Sequence, residues 1–128
     1  MDILLDTQVI LWAISGDKRL SKKGQTVFLD PENSLYFSMA GYWEIAIKVS
    51  IGKLELADQW QMIIAREMQN NFIRFLPITK EHCNCLAGLP FHHRDPFDRM
   101  IVAQTQVEQM VLLTADNQLT KYDIQIII

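Results

Sequence analysis

Cysteine is nearly absent from this sequence: there are two in 128 residues, Cys83 and Cys85, separated by one position. Such close neighbours make a poor structural disulfide, and no third thiol is present, so the usage is that of a reducing compartment. A zinc site built from His82, Cys83 and Cys85 lacks a well-spaced second ligand pair, because His92 and His93 are adjacent. No apolar run approaches the roughly 20 residues that span a bilayer. The N-terminal Met-Asp-Ile-Leu-Leu-Asp carries no basic n-region and no small-residue cleavage site. These absences lead us to expect a cytoplasmic protein without a membrane partner.

There is no excess of basic residues either. The formal charge is −3, from 15 acidic and 12 basic side chains, unlike a protein that binds nucleic acid by general basicity. Several catalytic signatures are missing too: no Gly-rich phosphate loop, no His-Glu-x-x-His and no Gly-x-Ser-x-Gly occurs. The length fits one domain, residues 1–128, and the 49% hydrophobic share excludes disorder.

What is there is an alternation of apolar runs and helical periods. Ile3-Leu4-Leu5, Leu35-Tyr36-Phe37, Ile73-Arg74-Phe75-Leu76, Val111-Leu112-Leu113 and Ile124–Ile128 read as strands. Thr7 to Ile14 reads as a first helix, and Ser21 can cap a second that runs towards Leu29. Ser38 can cap a third ending near Gly52, Asp58 opens a fourth, and Thr79 can cap a fifth reaching about Leu86. Asp95-Pro96 starts a sixth, with proline at its favoured first position, and a short helical turn covers Gln118 to Lys121. Strands this apolar, separated by helices, imply an α/β fold with a mostly parallel sheet covered on both faces, a three-layer α/β/α sandwich.

Four carboxylates fall at related places in this layout. Asp6 follows the first strand and Asp116 lies just past the fourth. Asp98 is in the first turn of the helix that feeds the fourth strand, and Glu44 is in the helix that leaves the second. In a parallel sheet all four reach one rim, where open α/β sheets keep their ligands. Glu44 and Asp98 also lie on or beside apolar helix stripes, where an unpaired carboxylate is costly. Each acid taken singly has a plainer role. Asp6 can cap a helix, Glu44 can pair with Lys48 at i+4, Asp95 and Asp98 suit a helix N-terminus, and Asp116-Asn117 can be a turn. Their convergence is what those roles leave unexplained. Four oxygen donors suit Mg²⁺ or Mn²⁺, and such a cluster fits hydrolysis of a phosphodiester by water. Assigning these four to metal leaves 11 acids against 12 bases, so a polyanionic substrate is not repelled by the remainder. Lys48, Lys53, Arg94 and Arg99, with His92 and His93, could touch phosphates. Trp12, Trp43 and Trp60 fall in helical patterns and read as core or interface.

Four segments carry a family resemblance: Leu4-Leu5-Asp6-Thr7; Ser38 with Trp43-Glu44-Ile45-Ala46-Ile47-Lys48 and Gly52-Lys53-Leu54; His93-Arg94-Asp95-Pro96-Phe97-Asp98-Arg99-Met100-Ile101-Val102-Ala103-Gln104; and Thr114-Ala115-Asp116. In these the chain resembles the PIN domain, and within it the VapC-type toxins of bacterial toxin–antitoxin pairs. The resemblance implies Mg²⁺- or Mn²⁺-dependent RNA cleavage, homodimerisation, and neutralisation by a cognate antitoxin through which any contact with operator DNA would run. It implies Asp6, Glu44 and Asp98 as core acids and Asp116 as a fourth, and it puts Thr114 at a position whose hydroxyl is often near the metal site. Lys48, Arg94 and Arg99, with Thr114, are the expected substrate contacts. Ala115 stands where many relatives carry a basic residue, and Asp95 adds an acid that reads as a helix cap. Two other readings compete. A receiver-like phospho-acceptor would want an acidic pair before Asp6, where Ile3-Leu4-Leu5 stand, and a Lys soon after Leu113, which is missing. A degenerate PIN domain that only binds protein would not need four acids.

Overall fold

The computed structural model describes all residues, Met1–Ile128. Strand β1 (Asp2–Leu5) leads to helices α1 (Thr7–Ser15) and α2 (Lys22–Leu29), then β2 (Ser34–Ser38), α3 (Met39–Ser50) and α4 (Trp60–Asn70). There follow β3 (Ile73–Leu76), α5 (Lys80–Ala87), α6 (Pro96–Glu108), β4 (Val111–Leu113), a 3-10 turn (Asn117–Lys121) and β5 (Gln125–Ile127). The five strands form one sheet in the order β3-β2-β1-β4-β5, every pair parallel. No helix is long and apolar enough to cross a membrane.

Alternation along the strands divides the core into two. Ile3, Leu5, Leu35, Phe37, Val111 and Leu113 face one side, where they meet Val9 and Ile10 of α1, Ile45 of α3, and Ile64 and Met68 of α4. Leu4 and Leu112 face the other, against Ile101, Val102 and Ala103 of α6 and Leu119 of the 3-10 turn. Both faces of β1 are therefore buried, which is why Ile3, Leu4 and Leu5 are all apolar and all fully inaccessible. This is the expected three-layer sandwich.

Most caps are those the sequence indicates. The Ser21 side chain accepts from Gly24 N–H, Ser38 from Ala40 N–H and Thr79 from His82 N–H. Asp58 is a correction. Helix α4 begins at Trp60 behind Gln59, which makes no side-chain capping bond, and Asp58 lies in the preceding turn. Its first turn is held instead by packing, with Trp60 against Tyr42 at 5.6 Å between ring centroids. The last strand is also shorter than the apolar run Ile124–Ile128 suggests, because only Gln125, Ile126 and Ile127 pair with β4.

One glycine sets how closely α3 approaches the sheet. A Cβ at Gly41 would lie 2.6 Å from the Phe37 ring and 2.7 Å from Thr7 Oγ1. Phe37 is fully buried and has no room to give. Gly41→Ala is expected to destabilise the protein by about 1–3 kcal/mol, the usual cost of overpacking. Denaturant unfolding should show a lower midpoint at unchanged slope.

Candidate active site

The strand order places the site. From β1 the chain crosses to β2 on one side and later to β4 on the other, which opens a crevice at their C-terminal ends. Leu5 pairs in register with Phe37 and with Leu113, so β1 and β4 end level and β2 runs one residue further. The cleft above them is about 430 Å³ and is lined by Asp6, Glu44, Asp95, Asp98 and Asp116 with Lys48 and Lys53. Five carboxylates against two ammonium groups make it strongly anionic. The four acids expected to converge do so.

Asp6 is buried at the start of α1. Its Oδ1 accepts the Thr7 N–H at 2.7 Å, and its Oδ2 accepts the Thr114 hydroxyl at 2.6 Å. It caps α1 as the plainer reading supposed, and it faces the cleft as well. Burial pushes its carboxyl above the usual range, partly offset by these two hydrogen bonds, while Glu44 and Asp116 push it further up. Glu44 is 5% exposed and binds Lys48 Nζ through Oε2 at 2.7 Å. Its other oxygen, Oε1, is buried and has no hydrogen-bond partner. Buried carboxylate oxygens are rarely left so. Lys48 is raised above its ordinary value, chiefly by that bond to Glu44.

Asp98 carries the largest perturbation. Burial, and then the charges of Asp6, Asp95, Glu44 and Asp116, push its carboxyl up to about 8. A cluster this dense does not hold all its negative charge near neutral pH without a counter-cation. Two lines thus fit a divalent ion to these residues: the orphan Glu44 oxygen and the strained ionisation of Asp98. Asp95 caps α6, accepting from Phe97 N–H at 2.8 Å and Asp98 N–H at 3.1 Å, as expected. Asp116 lies beyond β4, and its Oδ1 accepts from Gln118 N–H at 2.9 Å to cap the 3-10 turn.

Two residues expected to meet substrate sit elsewhere. Arg99 is 5% exposed, and its guanidinium donates to the carbonyls of Pro90, Leu86 and Leu89 at 2.9, 3.3 and 3.4 Å. One step along a helix turns a side chain by about 100°, so Arg99 points away from the rim that Asp98 faces and pins the loop between α5 and α6. Thr114 is also buried, and its hydroxyl accepts from Asp116 N–H at 3.0 Å while donating to Asp6. It links two acids and does not reach outward. Thr114→Val should therefore leave both polar groups short of a partner, costing about 1–3 kcal/mol. It should lower cation affinity by about 10–100-fold, as loss of an outer-shell partner does; Thr114→Ser should restore both in calorimetric titration. Lys48 lines the cleft, Arg94 is exposed on the loop before α6, and Trp43 is exposed against Phe97.

The residue whose part the sequence left open is His93. Its Nε2 lies 3.1 Å from Asp116 Oδ2 and 3.4 Å from Asp98 Oδ2. The available signal was its place three residues ahead of α6, on the rim where that helix begins. His92 turns away and packs edge-on against Tyr122. His82 is fully buried, with Thr79 N–H on Nδ1 and Glu108 beside Nε2, so it closes the capping box of α5.

Comparisons with known proteins agree with this fold. The structure is similar to VapBC2 from Rickettsia felis bound to a DNA fragment from their promoter, with TM-score 0.72 and 14% identity over 99% of this chain and 98% of that one. It is similar to VapBC-1 from nontypeable Haemophilus influenzae, with TM-score 0.72 and 20% identity over 99% and 97%. FitAcB from Neisseria gonorrhoeae follows at TM-score 0.61 and 16% identity over 98% and 96%. No curated protein matches the sequence. At these identities the solved structures speak for the fold alone. The model of the PIN domain, however, matches residues 3–125, and the chain therefore belongs to the PIN domain family.

Proposed function

We propose that this protein is a Mg²⁺- or Mn²⁺-dependent endoribonuclease, and the toxin of a toxin–antitoxin pair. The observation that carries the reading is the anionic cleft at the sheet's switch point, where Glu44 presents a buried oxygen without a partner among Asp6, Asp98 and Asp116. Asp6, Glu44 and Asp98 would hold the cation, with Asp116 beside them. When bound, a divalent ion there supplies an acidified water and a charge to stabilise the phosphate oxygens. The rest falls to the chain. Thr7 N–H and Thr114 fix the Asp6 carboxylate, and the capping bonds of Asp95 fix the turn that carries Asp98. Lys48 and Arg94 stand where they can bind the substrate backbone.

Residues 1–128 are read as a single PIN domain acting in the cytoplasm, as a homodimer. The partner follows from the relatives: solved neighbours include VapBC2 with promoter DNA and a toxin–antitoxin complex from Klebsiella pneumoniae. By that analogy a small antitoxin occupies this chain, and operator DNA is reached only through it. The test is expression of the chain alone and with its genomic neighbour, together with incubation of the purified protein with single-stranded RNA. Growth arrest relieved by the neighbour is expected, with RNA cleavage in Mn²⁺ that stops in excess chelator. Undiminished cleavage in chelator, or no cleavage in Mn²⁺, removes the reading.

A further inference from the structure

His93, Asp98 and Asp116 present one donor atom each within 4.8 Å of one another, the arrangement of a three-ligand metal site with a nitrogen in it. The hydrogen bonds around the ring oppose that assignment. Asp95 N–H donates to His93 Nδ1 at 3.0 Å. A main-chain N–H is always a donor, so Nδ1 holds a lone pair and the proton of the neutral ring is on Nε2. A ligating imidazole needs the reverse: a lone pair on the metal side and an N–H on the other nitrogen to give to an acceptor. Here the other nitrogen already faces a donor. Turning the ring over would take the acceptor away from Asp95 N–H and Nε2 away from both carboxylates, and the main chain that carries the ring is held by the His93 N–H bond to the buried Tyr122 hydroxyl at 3.0 Å.

Nε2–H is thus aimed at Asp116 Oδ2 and Asp98 Oδ2, at 3.1 and 3.4 Å. The second oxygen of Asp116 is engaged by Gln118 N–H. Both oxygens of Asp116 thus accept hydrogen bonds, as those of Asp6 do, whereas Glu44 Oε1, in a side chain only 7% exposed, accepts none and is the oxygen free for a cation. We propose that His93 is a positioning residue, a fixed N–H donor that ties Asp116 to Asp98 and stays out of the ligand set. The cation of the proposed reading is then bound through carboxylate oxygen, without imidazole nitrogen. This deepens the proposed cation-dependent reading of the same cleft and rests on it.

Two spectroscopic measurements on the whole chain test it without RNA. Long-range ¹H–¹⁵N spectra of the wild-type protein, assigned by the loss of signal in His93→Gln, report which ring nitrogen bears the proton. The expected result is a protonated Nε2 both before and after saturation with Mg²⁺. Migration of the proton to Nδ1 as Mg²⁺ binds would overturn the proposal. Pulsed electron paramagnetic resonance of the Mn²⁺-loaded protein should show no imidazole nitrogen coupled to the ion, and a directly coordinated ¹⁴N would equally overturn it. Calorimetry supplies the positioning arm. Wild type should bind one Mn²⁺, and His93→Ala should bind one with affinity lowered by about 10–100-fold, the range for an outer-shell partner. His93→Gln, which keeps an N–H donor, should recover most of that loss, and a Gln variant no better than Ala counts against the role. If these hold while the protein cleaves no RNA, the nuclease reading fails and the His93 assignment stands. If RNA is cleaved and nitrogen is found on Mn²⁺, the reverse is true.

Discussion

Asp6→Asn is expected to abolish most cleavage while leaving the fold intact. The substitution removes a negative charge and almost no volume. Both hydrogen bonds around the side chain have a neutral counterpart: the Asn oxygen can accept from Thr7 N–H, and the Asn amide can donate to the Thr114 hydroxyl, which at present donates to Asp6. The lost term is attraction for a cation. Removing a partner that only orients a ligand costs about 10–100-fold in affinity or activity, so loss of a group at the ion itself should exceed about 100-fold. Calorimetry should show Mn²⁺ binding reduced at least as much. Burial and neighbouring acids already push the Asp6 carboxyl up, so the neutral variant relieves repulsion. Without cation it should melt no lower than wild type. A variant that melts far below wild type would show Asp6 to be chiefly a helix cap. One that cleaves normally would exclude it from the site.

The second large effect is a stability that falls with rising pH when no divalent cation is present. In the folded protein the Asp98 carboxyl is raised from 3.8 to about 8, first by burial and then by the surrounding acids, and Asp6 moves in the same direction. Between those two pH values the folded chain holds protons that the unfolded chain has released. The slope of unfolding free energy with pH is then negative, by about 1.4 kcal/mol per pH unit for each whole proton of difference. Stability should decline from about pH 4 to about pH 8 and level off beyond, once Asp98 has ionised in both states. Mg²⁺ or Mn²⁺ binds only the folded chain and favours the ionised cluster. The rise in melting temperature on adding it should therefore grow across the same window. Melting curves in chelator and in Mn²⁺ over that range check both statements. Asp98→Asn should flatten the chelator series. A chelator series in which wild type is level, or gains stability with pH, would mean the acids are not crowded as described.

The convergence of the four acids has a physical basis in the sequence. A strand buried on both faces must be apolar throughout, so Ile3-Leu4-Leu5 and Val111-Leu112-Leu113 announce central parallel strands, and the residues just beyond them are at the sheet's C-terminal edge. Helices that return antiparallel start or end over that edge. Periodicity, capping residues and this topology together carry Asp6, Glu44, Asp98 and Asp116 to one place with no knowledge of side-chain contacts.

Other features depend on direction and pairing, which sequence spacing does not encode. Asp98 and Arg99 are neighbours in the chain, yet one faces the cleft and the other is spent on carbonyls at the end of α5 and in the loop that follows it. Residues 88–95 have no regular period to orient them, so the placing of His93 between two carboxylates comes from Tyr122, 29 residues away, and from the cap of α6. Thr114 joins Asp6 across 108 residues of chain. Asp58, read as opening the fourth helix, lies in the turn before it, and α4 starts two residues later at Trp60, which packs on Tyr42. The layers, the parallel sheet and the meeting of Asp6, Glu44, Asp98 and Asp116 at one rim thus follow from residue pattern and spacing. Which polar groups around those acids give a proton, which accept one, and which oxygen of Glu44 is left for a cation do not, because hydrogen-bond roles are set by neighbours that folding alone brings within reach.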